Sequence, residues 1–586
     1  MQMKWMIGLL SACIWIWMPT MLNAQGSGGD PREDGSPWGF ASGAEWSNDY
    51  PQFNPLMHDA GARWIRYFPE WKSIQPQQGT WNWTSTDAFV ANCNQNNLHV
   101  AGVFAYFAPW ASADGGTRQG PIKDMQYFRD YVATVAQRYQ QDIMYWEVWN
   151  EFNGSFYQGI DKVQEYADLV VAAYDTAKAI DPNIKIGMSV ANFDISFLDR
   201  VIKAGAAGHF DYIAVHPYEN TSFIANDGEP GYLSLVPSLR SMLAANNQSQ
   251  TIGLWITEFG YSVSVAPDAQ SDDKQADILT KAYVMSLAQG FDRMCWFEAR
   301  GPAYGSGTDH GLIRPDWSLR PSYHAMHTMT GLLGATPSYL GWLNLGQTNG
   351  GGFGFVFQGA SEPVLVAWAP LDTPISTTFS SDVQITDQTG LATNLNQGMP
   401  LNLNNAAIFV SGLPQALVQE AQDNAGDPFP WGGDYANATE VDCQLGVTNI
   451  DNGLTQRKEQ TTLAVNMPDH SFRQLDFDYG SEGRYAYFRA DPQFAPFGTT
   501  NLKVTIKARR ITPQQNAGMN LFYESQTGYR NSSQGWWTIP ADDQWHERTW
   551  TLNDANFVGQ WGWNFRFSAV GSPNAFQIMQ VKVTKY

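Results

Sequence analysis

The chain has 586 residues, 43% hydrophobic and 16% charged, with a net charge of −21. That length suits about two to four domains, and the apolar content excludes a disordered chain. The acidic balance excludes general nucleic-acid binding, which draws its affinity from Lys and Arg neutralising phosphates.

The aromatic load, 24 Trp, 25 Tyr and 32 Phe, suits packing against the flat C–H faces of sugars. It equally suits a chain that contains large all-β modules.

The first residues read as a secretory signal peptide over 1–24. Lys4 is their only charge, an apolar run extends from Trp5 to about Leu22, and small or polar residues follow from Asn23. Cleavage after Ala24 would place the protein outside the cytoplasm: secreted, periplasmic or on the cell surface. The run is also just long enough for an uncleaved anchor. Leu10-Ser11-Ala12-Cys13 resembles a lipoprotein box, but the apolar stretch after it is wrong for one. No integral membrane span is expected once the signal is gone. Cys93, Cys295 and Cys443 remain in the mature chain, scattered and without metal-ligand spacing, so they are expected to be buried apolar residues.

From Ser36 to about 332 short apolar runs alternate with helical patterns. The runs are Trp38–Ala41, Arg63–Tyr67, Val100–Phe107, Ile143–Trp149, Ile184–Val190, Tyr212–Val215, Ile252–Thr257 and Met294–Phe297. Between them, Phe128, Tyr131, Val132, Val135 and Tyr139 fall on one helical face, as do Val163, Tyr166, Leu169, Val170, Ala173 and Tyr174. Eight such units predict a (β/α)8 TIM barrel over 36–332. An open doubly wound sheet is the alternative, but the chain has no glycine-rich phosphate loop to support it.

After 332 the pattern is strands only, predicting two all-β sandwich modules: an accessory one over 333–415 and a C-terminal one over 441–586. Residues 416–440 read as a linker, rich in Gly, Asp and Asn. The last module carries Trp536, Trp537, Trp545, Trp550, Trp561 and Trp563; strand alternation sends some into the core, and exposed ones could form a sugar platform.

In a TIM barrel the chemistry sits at the C-terminal ends of the strands. Cleaving a glycosidic bond with retention needs two carboxyl groups about 5–5.5 Å apart. Two strand ends supply them: Trp149-Asn150-Glu151-Phe152 after the fourth run and Thr257-Glu258-Phe259-Gly260 after the seventh. Strands four and seven lie across the mouth from one another, so Glu151 and Glu258 can converge on one sugar. Glu147, Glu298 and Glu70 are further carboxyl groups near strand ends, and Trp46, Trp71 and Trp110 lie in loops on the same side. Arg300, His310 and Arg314 follow the eighth strand, where they could receive an acidic sugar or lie in a solvated loop.

The two motifs resemble those of clan A glycoside hydrolases. Glu147-Val148-Trp149-Asn150-Glu151 is similar above all to family 39, the β-xylosidase and α-L-iduronidase group, although Phe152 stands where that family usually has Pro. The resemblance covers the barrel, about half of the chain. It implies that Glu151 is the acid/base and Glu258 the nucleophile. It further implies that Arg66 steadies the nucleophile, that Asn150 holds the sugar 2-hydroxyl and that Tyr218, in His216-Pro217-Tyr218, contacts the nucleophile. Trp296 would floor the subsite before the cleaved bond. Apolar neighbours such as Trp149 and Phe152 are expected to keep the acid protonated.

The last module resembles carbohydrate-binding β-sandwiches, and the accessory module resembles the β-domain that packs on the side of clan A barrels. The function expected is retaining hydrolysis of a polysaccharide or oligosaccharide, endo-acting, with no cofactor or metal. A transglycosylase using the same Glu pair and a non-catalytic glycan-binding protein are the alternatives. A metal-dependent hydrolase is disfavoured because the only close His pair, His324 and His327, falls on the last barrel helix.

Overall fold

The computed structural model describes residues 30–41, 49–302, 307–346 and 351–586; the signal segment 1–24 and Trp46 lie outside them. Eight strands close into a parallel barrel: β1 (Trp38–Ala41), β2 (Trp64–Tyr67), β3 (His99–Phe104), β4 (Tyr145–Val148), β5 (Lys185–Ala191), β6 (Tyr212–His216), β7 (Gly253–Phe259) and β8 (Arg293–Phe297). Phe40 pairs with Ile65 on one side and Trp296 on the other, which seals the ring. The strands read as nearly unbroken apolar runs because helices cover their outer surface. Helix α1 (Met125–Arg138) begins where Asp124 accepts the Gln126 N–H (2.9 Å), and it buries Phe128, Tyr131, Val132 and Val135. Helix α2 (Lys162–Ile180) is capped by Asp161 and buries Tyr166, Leu169, Val170 and Ala173.

Residues two apart on a strand point the same way, so the barrel interior fills in layers. Trp64, Tyr145, Tyr212 and Trp255 form the floor. Three of their rings surround the Arg293 guanidinium, centred 4.3, 4.6 and 4.7 Å from it on Trp64, Tyr145 and Trp255. Gly187 makes room for this layer: a Cβ there would stand 2.3 Å from the Tyr212 ring. Two residues further along β2, β4, β7 and β8 come Arg66, Glu147, Thr257 and Cys295. The next step reaches the mouth.

Beyond the barrel, a six-stranded sheet runs in the order Ser338–Trp342, Phe353–Gln358, Pro363–Trp368, Ile408–Ser411, Val383–Thr386, Ala392–Leu395. One face, with Phe353, Phe355, Phe357, Val366 and Trp368, joins the barrel's own apolar core. The other buries Val356, Leu365, Ala367 and Val410 within the module. Residues 416–440 are not a bare linker. Helix α3 (Gln415–Asn424) buries Val418 and Ala421, and Trp431 packs 4.8 Å from the Phe353 ring. The polar Gln, Asp and Asn residues of α3 face outward, which hid the helix in a stretch that reads as polar.

The last part of the chain is an antiparallel sandwich of a seven-stranded and a six-stranded sheet. Strand Leu502–Arg510 alternates strictly, with Leu502, Val504, Ile506 and Ala508 in the core. Trp550 is in that core, Trp563 is also buried, and Trp536 is exposed. The sandwich docks on the barrel: Arg489 donates to the Gly231 carbonyl (2.9 Å), Ser234 Oγ (3.0 Å) and Asn220 Oδ1 (3.2 Å), and Asn556 donates to Ser196 Oγ (3.1 Å). Among the described residues no helix is long and apolar enough to cross a membrane.

Candidate active site

The mouth of the barrel opens into a cleft of about 680 Å³ whose lining includes Tyr67, Glu70, Tyr106, Arg118, Asn150, Glu151, Tyr218, Glu258 and Phe297. At its base Arg66, with no exposure, holds the acidic groups in register. Its Nε and Nη2 donate to Glu147 Oε1 and Oε2 (2.9 and 3.0 Å), a two-pronged ion pair. Nη2 also donates to Asn150 Oδ1 (2.9 Å), and Nη1 donates to Glu258 Oε1 (2.5 Å). Burial pulls the Arg66 guanidinium down, but Glu147 and Glu258 outweigh it and hold its pKa above the ordinary value. Thr257 Oγ1 adds a contact to Glu147 Oε2 (3.3 Å).

Glu258 receives a second donor, Tyr218 Oη to Oε2 at 2.9 Å. Burial first, then the charge of Glu258, pushes the Tyr218 hydroxyl far up, so it stays a phenol that donates. Across the cleft Glu151 Oε1 meets His216 Nδ1 at 2.8 Å, and His216 Nε2 lies 3.1 Å from Thr257 Oγ1. Glu151, His216 and Glu258 each place one ligand-capable atom within 4.8 Å of the other two. The two carboxylates remain 17% and 13% exposed at the base of the cleft.

Local backbone presents these groups. Trp149 (φ +64°) and Glu151 (φ +50°) are left-handed on either side of Asn150, which turns Asn150 and Glu151 into the mouth. Such strain costs roughly 1–3 kcal/mol per residue. Packing sustains it: Trp149 is buried against Phe107, Phe152 and Tyr157 and donates Nε1–H to the Phe156 carbonyl (3.1 Å). Phe152 stacks on Tyr157 and Tyr166 in this core and is not part of the cleft lining.

Six of the seven residues singled out in the sequence converge here: Arg66, Asn150, Glu151, His216, Tyr218 and Glu258. Trp296 does not. Cys295 faces the barrel interior, so Trp296 faces outward, fully buried against Phe259, with Nε1 donating to the His310 carbonyl. Phe297, one residue on, lines the cleft instead. The expectation of an acid raised by apolar surroundings also needs correction. Burial does push the Glu151 carboxyl up, but the hydrogen bond and charge of His216, with Arg66, hold it below the ordinary carboxylate value.

Sequence reasoning treated Glu147 as an ambiguous strand carboxyl; its inward parity with Tyr145 was the available signal. Trp71 belongs to the core, stacked on Tyr131, and Trp110 donates to the Gln75 carbonyl. Glu70 is on the cleft wall, paired with Lys72 (2.9 Å), whereas Glu298 is buried outside the cleft lining.

Residues 69–193 match the family model for glycosyl hydrolase family 10. A family 39 glycoside hydrolase from Bacteroides cellulosilyticus WH2 shares the fold with a TM-score of 0.54 at 21% identity, over 64% of this chain and 80% of that one. A monomeric beta-xylosidase from Caulobacter crescentus CB15 aligns at 14% identity with a TM-score of 0.46, over 64% of this chain and 95% of its own. A glucosidase from Croceicoccus marinus aligns at 12% with a TM-score of 0.44, over 94% and 97%. The family-model match, with the paired glutamates of the barrel mouth, identifies the chain as a glycosidase, in keeping with the resemblance of its motifs to clan A.

Proposed function

We propose that this glycosidase hydrolyses a glycan by double displacement with retention, attacking internal bonds of a polysaccharide outside the cytoplasm. The observation that carries the reading is the approach of Glu151 and Glu258 to within 4.8 Å across the mouth. That approach of their oxygens suits a nucleophile paired with an acid/base better than the gap of about 6.5–9.5 Å that an inverting pair keeps for its water.

Glu258, fixed by Arg66 and Tyr218, attacks the anomeric carbon. Glu151 gives its proton to the departing glycosidic oxygen, and a glycosyl ester forms on Glu258. Glu151, now a carboxylate, takes a proton from water, whose oxygen displaces Glu258 and regenerates both groups. Asn150, with its Oδ1 on Arg66 and its Nδ2 donating to Tyr106 Oη (3.3 Å), is placed to hold the 2-hydroxyl. His216, with Nδ1 2.8 Å from Oε1, orients Glu151. The open cleft and the attached β modules favour a polymer over a small glycoside.

The test is mass spectrometry of products after incubation with a broad polysaccharide panel, with Glu258→Ala as the blank. Ladders of oligosaccharides absent from the blank are expected. Monosaccharide alone would replace internal by terminal attack, and equal products from the variant would end the assignment of Glu258.

A further inference from the structure

Arg118 stands out among the cations of the cleft. The cations picked from sequence near the mouth are engaged within the protein: Arg300 donates to Asp49 (2.6 Å) and to the Pro315 carbonyl, and Arg314 to Asp272 (2.5 Å). His310 is packed between the Tyr218 and Phe297 rings, and burial holds its pKa down. On the cleft wall Lys72 is paired with Glu70, and Arg66 is saturated by Glu147, Glu258 and Asn150.

Arg118 is different. It lies in the loop after β3, half-buried, and lines the cleft. Its guanidinium is 4.6 Å from the centre of the Tyr106 ring and 4.5 Å from that of Phe156, two rings inclined by only 9°. Among the described residues it forms no ion pair, and its side chain donates no hydrogen bond. Its backbone carbonyl accepts the Gln158 N–H (2.9 Å), which ties its loop to the one that follows Glu151.

The two rings hold the guanidinium in place, and its N–H groups, without a partner among the described residues, are left for something in the cleft. An arginine edge held this way matches a planar or tetrahedral anion with two acceptor oxygens. In a chain of net charge −21, a cation that forms no ion pair among the described residues is a local exception. The position is specific too: Tyr106 touches Arg118 on one side and Asn150 on the other.

We propose that Arg118 forms a subsite for an acidic substituent of the glycan, a uronic carboxylate or a sulfate ester, on the cleft wall built by the loops after β3 and β4. The inference rests on the glycosidase reading for the identity of the ligand as a glycan.

The experiment is calorimetric titration of the Glu258→Gln protein, which binds without consuming its ligand. The probes are glucuronic acid-substituted xylo-oligosaccharides, oligogalacturonides and chondroitin sulfate oligosaccharides, each beside its carboxyl-reduced or desulfated counterpart. At least one probe should bind about tenfold more tightly than its carboxyl-reduced or desulfated counterpart, corresponding to about 1.4 kcal/mol. In Glu258→Gln/Arg118→Met, which keeps the stem over the rings, that ratio should fall to near one. In Glu258→Gln/Arg118→Lys it should be partly kept, which guards against a folding artefact.

A preference confined to the carboxylate pairs assigns a uronic acid, and one confined to the desulfation pair assigns a sulfate. No charged probe exceeding its counterpart, or a ratio unchanged in the Met variant, overturns the proposal. Because the readout is binding, a kept preference with no hydrolysis by the wild-type protein would instead sink the glycosidase reading alone.

Discussion

Arg66 in the barrel mouth and Arg457 at the junction with the C-terminal sandwich are both buried guanidinium groups, and their surroundings are opposite. Arg66 has acceptors for its Nε, Nη1 and Nη2, three of its four contacts being to carboxylate oxygens. Arg457 lies 4.0 Å over the Phe223 ring, with Nε and Nη2 unpartnered among the described residues, beside a cavity of about 580 Å³ that Arg489 also lines. Burial, then the charge of Arg489, pulls the Arg457 guanidinium down to about 9. The contrast teaches that burying a charge does not by itself mark a working site. What marks Arg66 is that its Nε, Nη1 and Nη2 each have an acceptor, and that those acceptors belong to groups whose positions set the chemistry.

The largest effect should come from Arg66→Met. It leaves Glu147 buried and uncompensated, so unfolding in denaturant should show a loss of about 3–5 kcal/mol together with loss of turnover. If that variant were as stable as the wild type, the mouth would not be the tightly matched network described here.

A smaller effect is expected for His216→Leu. Removing the His216 donor takes away what holds Glu151 down, while burial, which pushes it up, remains. The acid then keeps its proton to higher pH, so the alkaline limb of the kcat/KM profile should move upward. A limb that stays in place would detach His216 from the acid.

Arg457→Met should do least. Exchanging an unmatched buried charge for an apolar side chain of similar length is expected to leave stability within about 1 kcal/mol of wild type, or raise it. A loss as large as that of Arg66→Met would erase the comparison.

Much of the barrel was legible because its strands are short apolar runs in a fixed alternation with amphipathic helices. Glu151 and Glu258 were legible because each directly follows such a run. The errors came from parity and from polar surfaces. Trp296 was placed in the cleft by motif, although alternation from Cys295 turns it outward. Helix α3 was hidden because only Val418 and Ala421 of its ten residues are buried. Arg118 offered no signal at all: its meaning depends on Tyr106 and Phe156, which reach it from different parts of the chain. The His216–Glu151 contact joins the ends of β4 and β6, and no local pattern could show that it would outweigh burial.

The central claim is that Glu258 and Glu151 act as a retaining pair. The most direct measurement is proton NMR of the first product released from a substrate of known anomeric configuration, recorded before mutarotation. The account predicts that the new reducing end initially has the configuration of the bond that was cleaved. An initially inverted anomer would contradict it, whatever the overall rate.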